Sequence, residues 1–267
     1  MNSTLSDILE TGVTKTPSGN STVSLHSSIS ASEGQYLQKL VRELDPTVSL
    51  EVGLAYGISA LFICDALNVR PGTQHIAIDP NQTGAIDSPQ DSAKGHSWGG
   101  IGIANLRRAG YGDVVRLIEL PSYRALAELE RAGQRIDFAF IDGWHTFDFA
   151  LVDFFFIDRM LNVGGIVAFD DSDWLSIRKI CRFVNNNLSY SVVPDHLPTS
   201  QPGPQPNIPF RRRLRPVVES ILRPSPLRPI LRPEVATPDK KVGLIGSCIA
   251  FRKEADDRRS FDHFVDF

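Results

Sequence analysis

An open, mostly parallel α/β sheet with helices on both faces is predicted by three features of this 267-residue chain. The apolar run Ile136–Ile141 stops at Asp142-Gly143-Trp144-His145, and a helix-like stretch leads through Gly164-Gly165 to a second apolar run ending in Asp170-Asp171. Two such runs joined by a helix read as a strand–helix–strand unit. Earlier, the β-rich run Val48–Val52 opens into Gly53-Leu54-Ala55-Tyr56-Gly57 and then a helical pattern. A third run, His75–Asp79, again ends in an acid. Parallel strands joined by helices all end at one sheet edge, where open α/β folds bind ligands.

Taken in order, residues 1–32 are rich in Ser and Thr without a sustained period, and are expected to form a mobile arm or a lid. Ser32-Glu33-Gly34-Gln35 resembles a capping box, and Leu37, Leu40, Val41 and Leu44 follow at helical spacing until Pro46. After the Val48–Val52 strand, Ile58, Leu61, Phe62 and Leu67 mark a helix. The polar stretch from Pro80 to Gly100 reads as a loop in which His96 and Trp98 are weighed as substrate contacts against an ordinary surface loop. Ile101–Ala109 is helical, Val114–Ile118 is a strand ending at Glu119, and Ser122–Arg131 is a helix. The unit from Ile136 supplies two strands around a helix from Phe147 to Leu161, in which Phe154-Phe155-Phe156 is read as core packing. A helix from Trp174 to Asn185 and a short strand, Tyr190–Val193, close the core at residues 33–193.

Residues 194–240 break the pattern with twelve of the 18 prolines and the Arg211-Arg212-Arg213-Leu214-Arg215 cluster. Eight basic residues against four acids give this segment +4, and the remainder of the chain −7. It is expected to be a disordered insertion, not a core element. Residues 241–267 then return the chain to the sheet through the apolar Val242–Phe251 and end in a charged tail.

The totals narrow the function classes. A net charge of −3 gives no footing for nucleic acid or a membrane surface. No apolar run approaches the roughly 20 residues of a membrane span, and the first residues lack a signal-peptide pattern, so a cytoplasmic protein is expected. Cys64, Cys181 and Cys248 sit in apolar contexts and read as buried thiols. A homo-oligomer is compatible with this composition.

A glycine loop followed by an acid 22 residues past Gly57 suits an adenosine-containing cofactor. The spacing is not the G-x-G-x-x-G of a dinucleotide dehydrogenase, and no Lys-[Ser/Thr] follows as in a P-loop. Asp142, His145, Asp170 and Asp171 would meet at the same edge. As helix caps they would be merely structural; as a group they suit metal binding and base catalysis.

With Glu51-Val-Gly53-Leu-Ala-Tyr-Gly57, Asp79, Asp142-Gly-Trp-His145 and Asp170-Asp171 in view, the chain resembles class I S-adenosylmethionine-dependent methyltransferases over roughly residues 33–193. It is most similar to the branch with D-G-x-H after the fourth strand and D-D or E-D after the fifth. That branch holds small-molecule O-methyltransferases and cephalosporin-hydroxylase-like proteins. The resemblance implies a Rossmann-like, doubly wound, mostly parallel seven-stranded sheet whose last strand, Val242–Phe251, is antiparallel. It implies S-adenosylmethionine as cofactor, with Glu51, Gly53 and Gly57 at its methionine end, Asp79 on the ribose, Ser122 near the adenine and Asp142 alongside. In metal-dependent members the positions of Asp142, Asp170 and Asp171 hold Mg²⁺, and that of His145 supplies a base. The implied reaction is O-methylation of a small hydroxylated molecule. A metal-independent N- or O-methyltransferase, and a non-catalytic binding protein using residues 194–240, stay open as alternatives.

Overall fold

The computed structural model describes residues 2–84, 97–193 and 239–267. His96 and nearly all of the 194–240 segment lie outside the described residues. The chain opens with helix α1 (Ser3–Thr11) and a hairpin of β1 (Val13–Lys15) and β2 (Thr22–Ser24). Then follow α2 (Ala31–Leu44), β3 (Val48–Val52), α3 (Ile58–Ala66), β4 (Gln74–Ile78), α4 (Ile101–Arg108) and β5 (Val115–Ile118). The second half runs α5 (Ser122–Arg131), β6 (Ile136–Ile141), α6 (Phe147–Met160), β7 (Leu161–Phe169), α7 (Leu175–Asn187), β8 (Tyr190–Val192) and β9 (Ile249–Lys253).

Seven strands form one sheet in the order β5-β4-β3-β6-β7-β9-β8. β3 to β7 pair in parallel, whereas β9 is antiparallel to both β7 and β8. The predicted class is therefore correct. The final strand is shorter than Val242–Phe251: Asp239–Val242 is a turn of 3₁₀ helix, and pairing begins only at Ile249. Continuous apolarity misplaced its start, because Leu244 and Cys248 are also buried without being in a strand.

The helices divide between two faces. Phe138 and Phe140 of β6 point into a core with α1 to α4, while Ala139 and Ile141 point into one with α5 to α7. This alternation on a strand buried on both sides makes its sequence a continuous apolar run. Of the Phe154-Phe155-Phe156 triplet in α6, Phe154 lies in the core and Phe156 packs half-buried against it, whereas Phe155 is 55% exposed.

The amino-terminal segment is more ordered than an irregular arm. Asn2 caps α1, and Leu5 and Ile8 are buried in the main core. One turn and a half of apolar spacing is too short to stand out in a sequence, although it packs as a helix. At α2 the capping box starts two residues earlier than read: Ser30 is the cap and Glu33 closes the box. Among the described residues, no helix is long and apolar enough to cross a membrane.

Candidate active site

Backbone hydrogen bonds continue past the strand ends and set the site. Asp79 N–H donates to Ile118, Gly53 to Ile78, Asp142 to Val52 and Asp170 to Ile141, at 2.9–3.1 Å. Four residues from four strands are thereby lined up along one edge. The order of strands reverses on either side of β3, which makes the β3–β6 gap the topological switch point. A cleft of about 900 Å³ opens there, lined by Gly53, Ala55, Asp79, Ser122, Asp142 and His145 among others.

The two halves of the cleft touch through main chain. Gly53 has φ of +92°, and a Cβ on it would collide with the carbonyl oxygen of Asp142. Gly57, at φ +77°, caps α3 and faces Gly102 across the loop. These glycines are thus needed for loop-on-loop packing as well as for access to a ligand. Gly102 itself was not singled out by sequence, yet a Cβ there would lie 2.5 Å from the Ala55 oxygen.

Glu51 and Asp79, both expected at the cofactor, differ in placement: Asp79 lines the cleft and Glu51 does not. Glu51 is fully buried and absent from the cleft wall. Its carboxylate accepts from the Ser59 hydroxyl at 2.9 Å and lies 3.4 Å from His75 Nε2. Asp79 is only 3% exposed, and its Oδ2 accepts from Leu54 and Ala55 N–H at 3.1 and 2.8 Å. Asn81 N–H and the Gln82 amide add two more donors. Asp79 therefore organises the glycine loop. Asp and Glu at strand ends look alike in sequence, whichever way their side chains turn.

The acid centre brings Asp142, His145 and Asp170 together, without Asp171, which was expected as the third ion ligand. One ligand atom each from Asp142, His145 and Asp170 lies within 4.8 Å of the others. His145 Nε2 is 3.3 Å from Asp142 Oδ1, and its Nδ1 is 3.3 Å from Asp171 Oδ2. Asp171 thus sits at the opposite ring nitrogen, held by a left-handed backbone at φ +45° that is unusual for a residue with a side chain. Burial pushes the Asp142 and Asp170 carboxyls well above the usual range; at Asp142 a hydrogen bond with Asp170 opposes this, while the charge of Glu33 and Asp171 raises both. Asp171 is raised too, first by burial, with His145 opposing. Glu33 is the carboxylate that the sequence did not offer as a site residue. Its capping-box role holds it in the cleft wall, where Oε2 accepts from Ser30 and Oε1 accepts from Ser247 at 2.6 Å.

A buried carboxyl beneath the site gives a stability test. Asp153 on α6 is 1% exposed, packs under Gly143, and has its pKa pushed up to about 7 by burial, with Ser122 opposing. Between pH about 4 and 7 the native state then holds a proton that the unfolded chain has lost, so stability falls as pH rises through this window. Asp153→Asn is expected to flatten that slope, as read from urea midpoints at pH 5, 6, 7 and 8.

Residues 50–172 match the family model described as a methyltransferase domain. Over that stretch the chain is similar to methyltransferase domains. An Arabidopsis thaliana protein whose name proposes a caffeoyl-CoA O-methyltransferase is 26% identical over 143 residues, 53% of each chain. The chain spans about half the length of the curated relatives it matches. Two solved structures share the fold. An O-methyltransferase from Bacillus cereus, in complex with SAH, is 19% identical with a TM-score of 0.53, covering 72% of this chain and 83% of that one. The O-methyltransferase TomG from Streptomyces achromogenes, in complex with SAM, is 18% identical with a TM-score of 0.51, covering 72% and 82%.

The cleft has aromatic walls at both ends. His26 accepts or donates a 2.7 Å hydrogen bond with Tyr56 and stacks on Trp98, so the segment before α2 is pinned to the glycine loop. Trp98, weighed as a loop residue, lines the cleft, and Trp144 lines it at the His145 end with Trp174. All three cysteines are free and buried, as expected.

Proposed function

We propose that this protein transfers the methyl group of S-adenosylmethionine to a hydroxyl of a small molecule. The observation that carries this reading is the Asp142–His145–Asp170 cluster set directly against the Gly53 loop. The cofactor fits the concave path along Gly53, Ala55 and Ser122, with Asp79 in its wall, where Oδ1 takes one hydrogen bond, from Asn81 N–H, and can accept from a ribose hydroxyl as well.

A divalent cation, Mg²⁺, fits the donor set. Asp142 and Asp170 are close, enclosed carboxyls raised first by burial, and His145 Nε2 is buried without a hydrogen-bond partner. Hard cations favour oxygen ligands, so Asp142 and Asp170 would hold the ion. When bound, it supplies charge that makes a hydroxyl easier to deprotonate. Asp171, expected as a third ligand, is assigned here to His145: a carboxylate at Nδ1 orients the ring and leaves Nε2 to take the acceptor's proton. The cleft then holds the acceptor oxygen and the sulfonium methyl in line, with the proximity contribution that such positioning brings. The relative's name mentions a CoA ester; no such acceptor is assigned here.

Calorimetry with S-adenosylhomocysteine is expected to show one site per chain, and heat-free titration at millimolar ligand would sink the reading. EDTA is expected to abolish turnover and excess Mg²⁺ to restore it. The His145–Asp171 pair also suits proton removal without an ion, and full activity in EDTA would select that metal-independent mechanism.

A further inference from the structure

Arg178, on the first turn of α7, faces three backbone carbonyls. Its Nε donates to Ser172 at 2.5 Å, Nη2 donates to Gly246 at 3.1 Å, and Nη1 donates to Leu244. The side chain is 14% exposed, and its nearest acid, Asp239, is 3.9 Å away and more tightly held by Arg182 at 2.7 Å. A guanidinium this enclosed is committed to the loops it bonds, not to an ion pair. Those loops are the turn after β7, which carries Asp170 and Asp171, and the stretch that leads into β9.

The two loops are also stitched to each other. Ser172 N–H donates to Ser247 at 2.7 Å, and its hydroxyl donates to Gly246 at 3.1 Å. Ser247 in turn donates to Glu33. Ser172 is fully buried and follows Asp171, whose left-handed backbone has no glycine to ease it. A planar fork of five donors is the side chain suited to gathering several fixed acceptors at once.

We propose that Arg178 is a positioning residue of the acid centre: it clasps the turn after β7 to the entry of β9, fixing the Asp171 conformation that faces His145 and the strand end that presents Asp170. The inference rests on the reading of Asp142, His145 and Asp170 as the reactive centre, but its test does not need turnover. Arg178→Met keeps the aliphatic stem and removes every donor; Arg178→Lys keeps the charge and a single donor-bearing nitrogen.

Amide hydrogen exchange by mass spectrometry on the full chain compares both variants with the parent. The expected result is at least tenfold faster exchange confined to residues 169–176 and 244–249 in Arg178→Met, with an intermediate effect in Arg178→Lys. The glycine loop at 52–59 and the affinity for S-adenosylhomocysteine should stay as in the parent. Mn²⁺ titration followed by electron paramagnetic resonance should show at least tenfold weaker binding. Unchanged exchange at 169–176, or loosening spread evenly over the domain, overturns the clasp. Failure of the parent itself to bind S-adenosylhomocysteine or Mn²⁺ counts against the functional reading, while the exchange pattern still decides the clasp.

Discussion

His145→Gln is expected to slow methyl transfer by about 10²- to 10⁴-fold, the usual contribution of a positioned general base. Glutamine keeps polarity and similar reach but cannot accept and hold a proton at neutral pH. The imidazole touches no residue of the glycine loop in the hydrogen-bond network, so affinity for S-adenosylhomocysteine should be unchanged, by calorimetry. The partner residue separates two roles. If Asp171 acts by orienting the ring at Nδ1, Asp171→Asn costs much in the parent and little more in the His145→Gln background, because residues acting as a unit are not additive. Equal losses in both backgrounds would mean that Asp171 works independently of His145, as an ion ligand does.

Gly53→Ala is expected to be strongly destabilising. At φ +92° a side chain is strained, and here the added carbon runs into the main-chain oxygen of Asp142. Strain and overpacking together predict a loss of roughly 2–6 kcal/mol, since backbone cannot swing aside as a flexible side chain can. Urea unfolding should show the loss, and binding of S-adenosylhomocysteine should weaken with it. Gly57→Ala provides the contrast. Its Cβ would stand 3.0 Å from the Gly102 oxygen, a tight contact but a smaller intrusion. A Gly53→Ala protein as stable as the parent would disprove the packing account of this loop.

Much of this was legible because parallel strands buried on both faces leave uninterrupted apolar runs, and their ends are punctuated by the residues that do chemistry. Ile136–Ile141 before Asp142, and Val48–Val52 before Gly53, are such cases. Side-chain direction at a strand end is not written in that pattern. Glu51 turns inward to Ser59, and Asp79 accepts from the Leu54 and Ala55 N–H groups of the glycine loop. Glu33 was legible only as a residue within a capping motif read two positions too late, and not as a wall of the cleft, because only the tertiary arrangement brings Ser247 to it across more than two hundred residues. Arg178 carried no local signal: its partners are backbone carbonyls, which every sequence supplies everywhere. The pairing of β9 between β7 and β8 likewise depends on a long return that no local period encodes.

The main-chain contact between Gly53 and Asp142 also bears on how such an enzyme can diversify. A change at position 53 disturbs the cofactor loop and the acid centre together, so neither can drift independently there. Trp144 and Trp174, each 43% exposed at the rim, carry no such burden. Mutational walks toward new acceptors should therefore accumulate at the indole rim, leaving the floor of the cleft untouched.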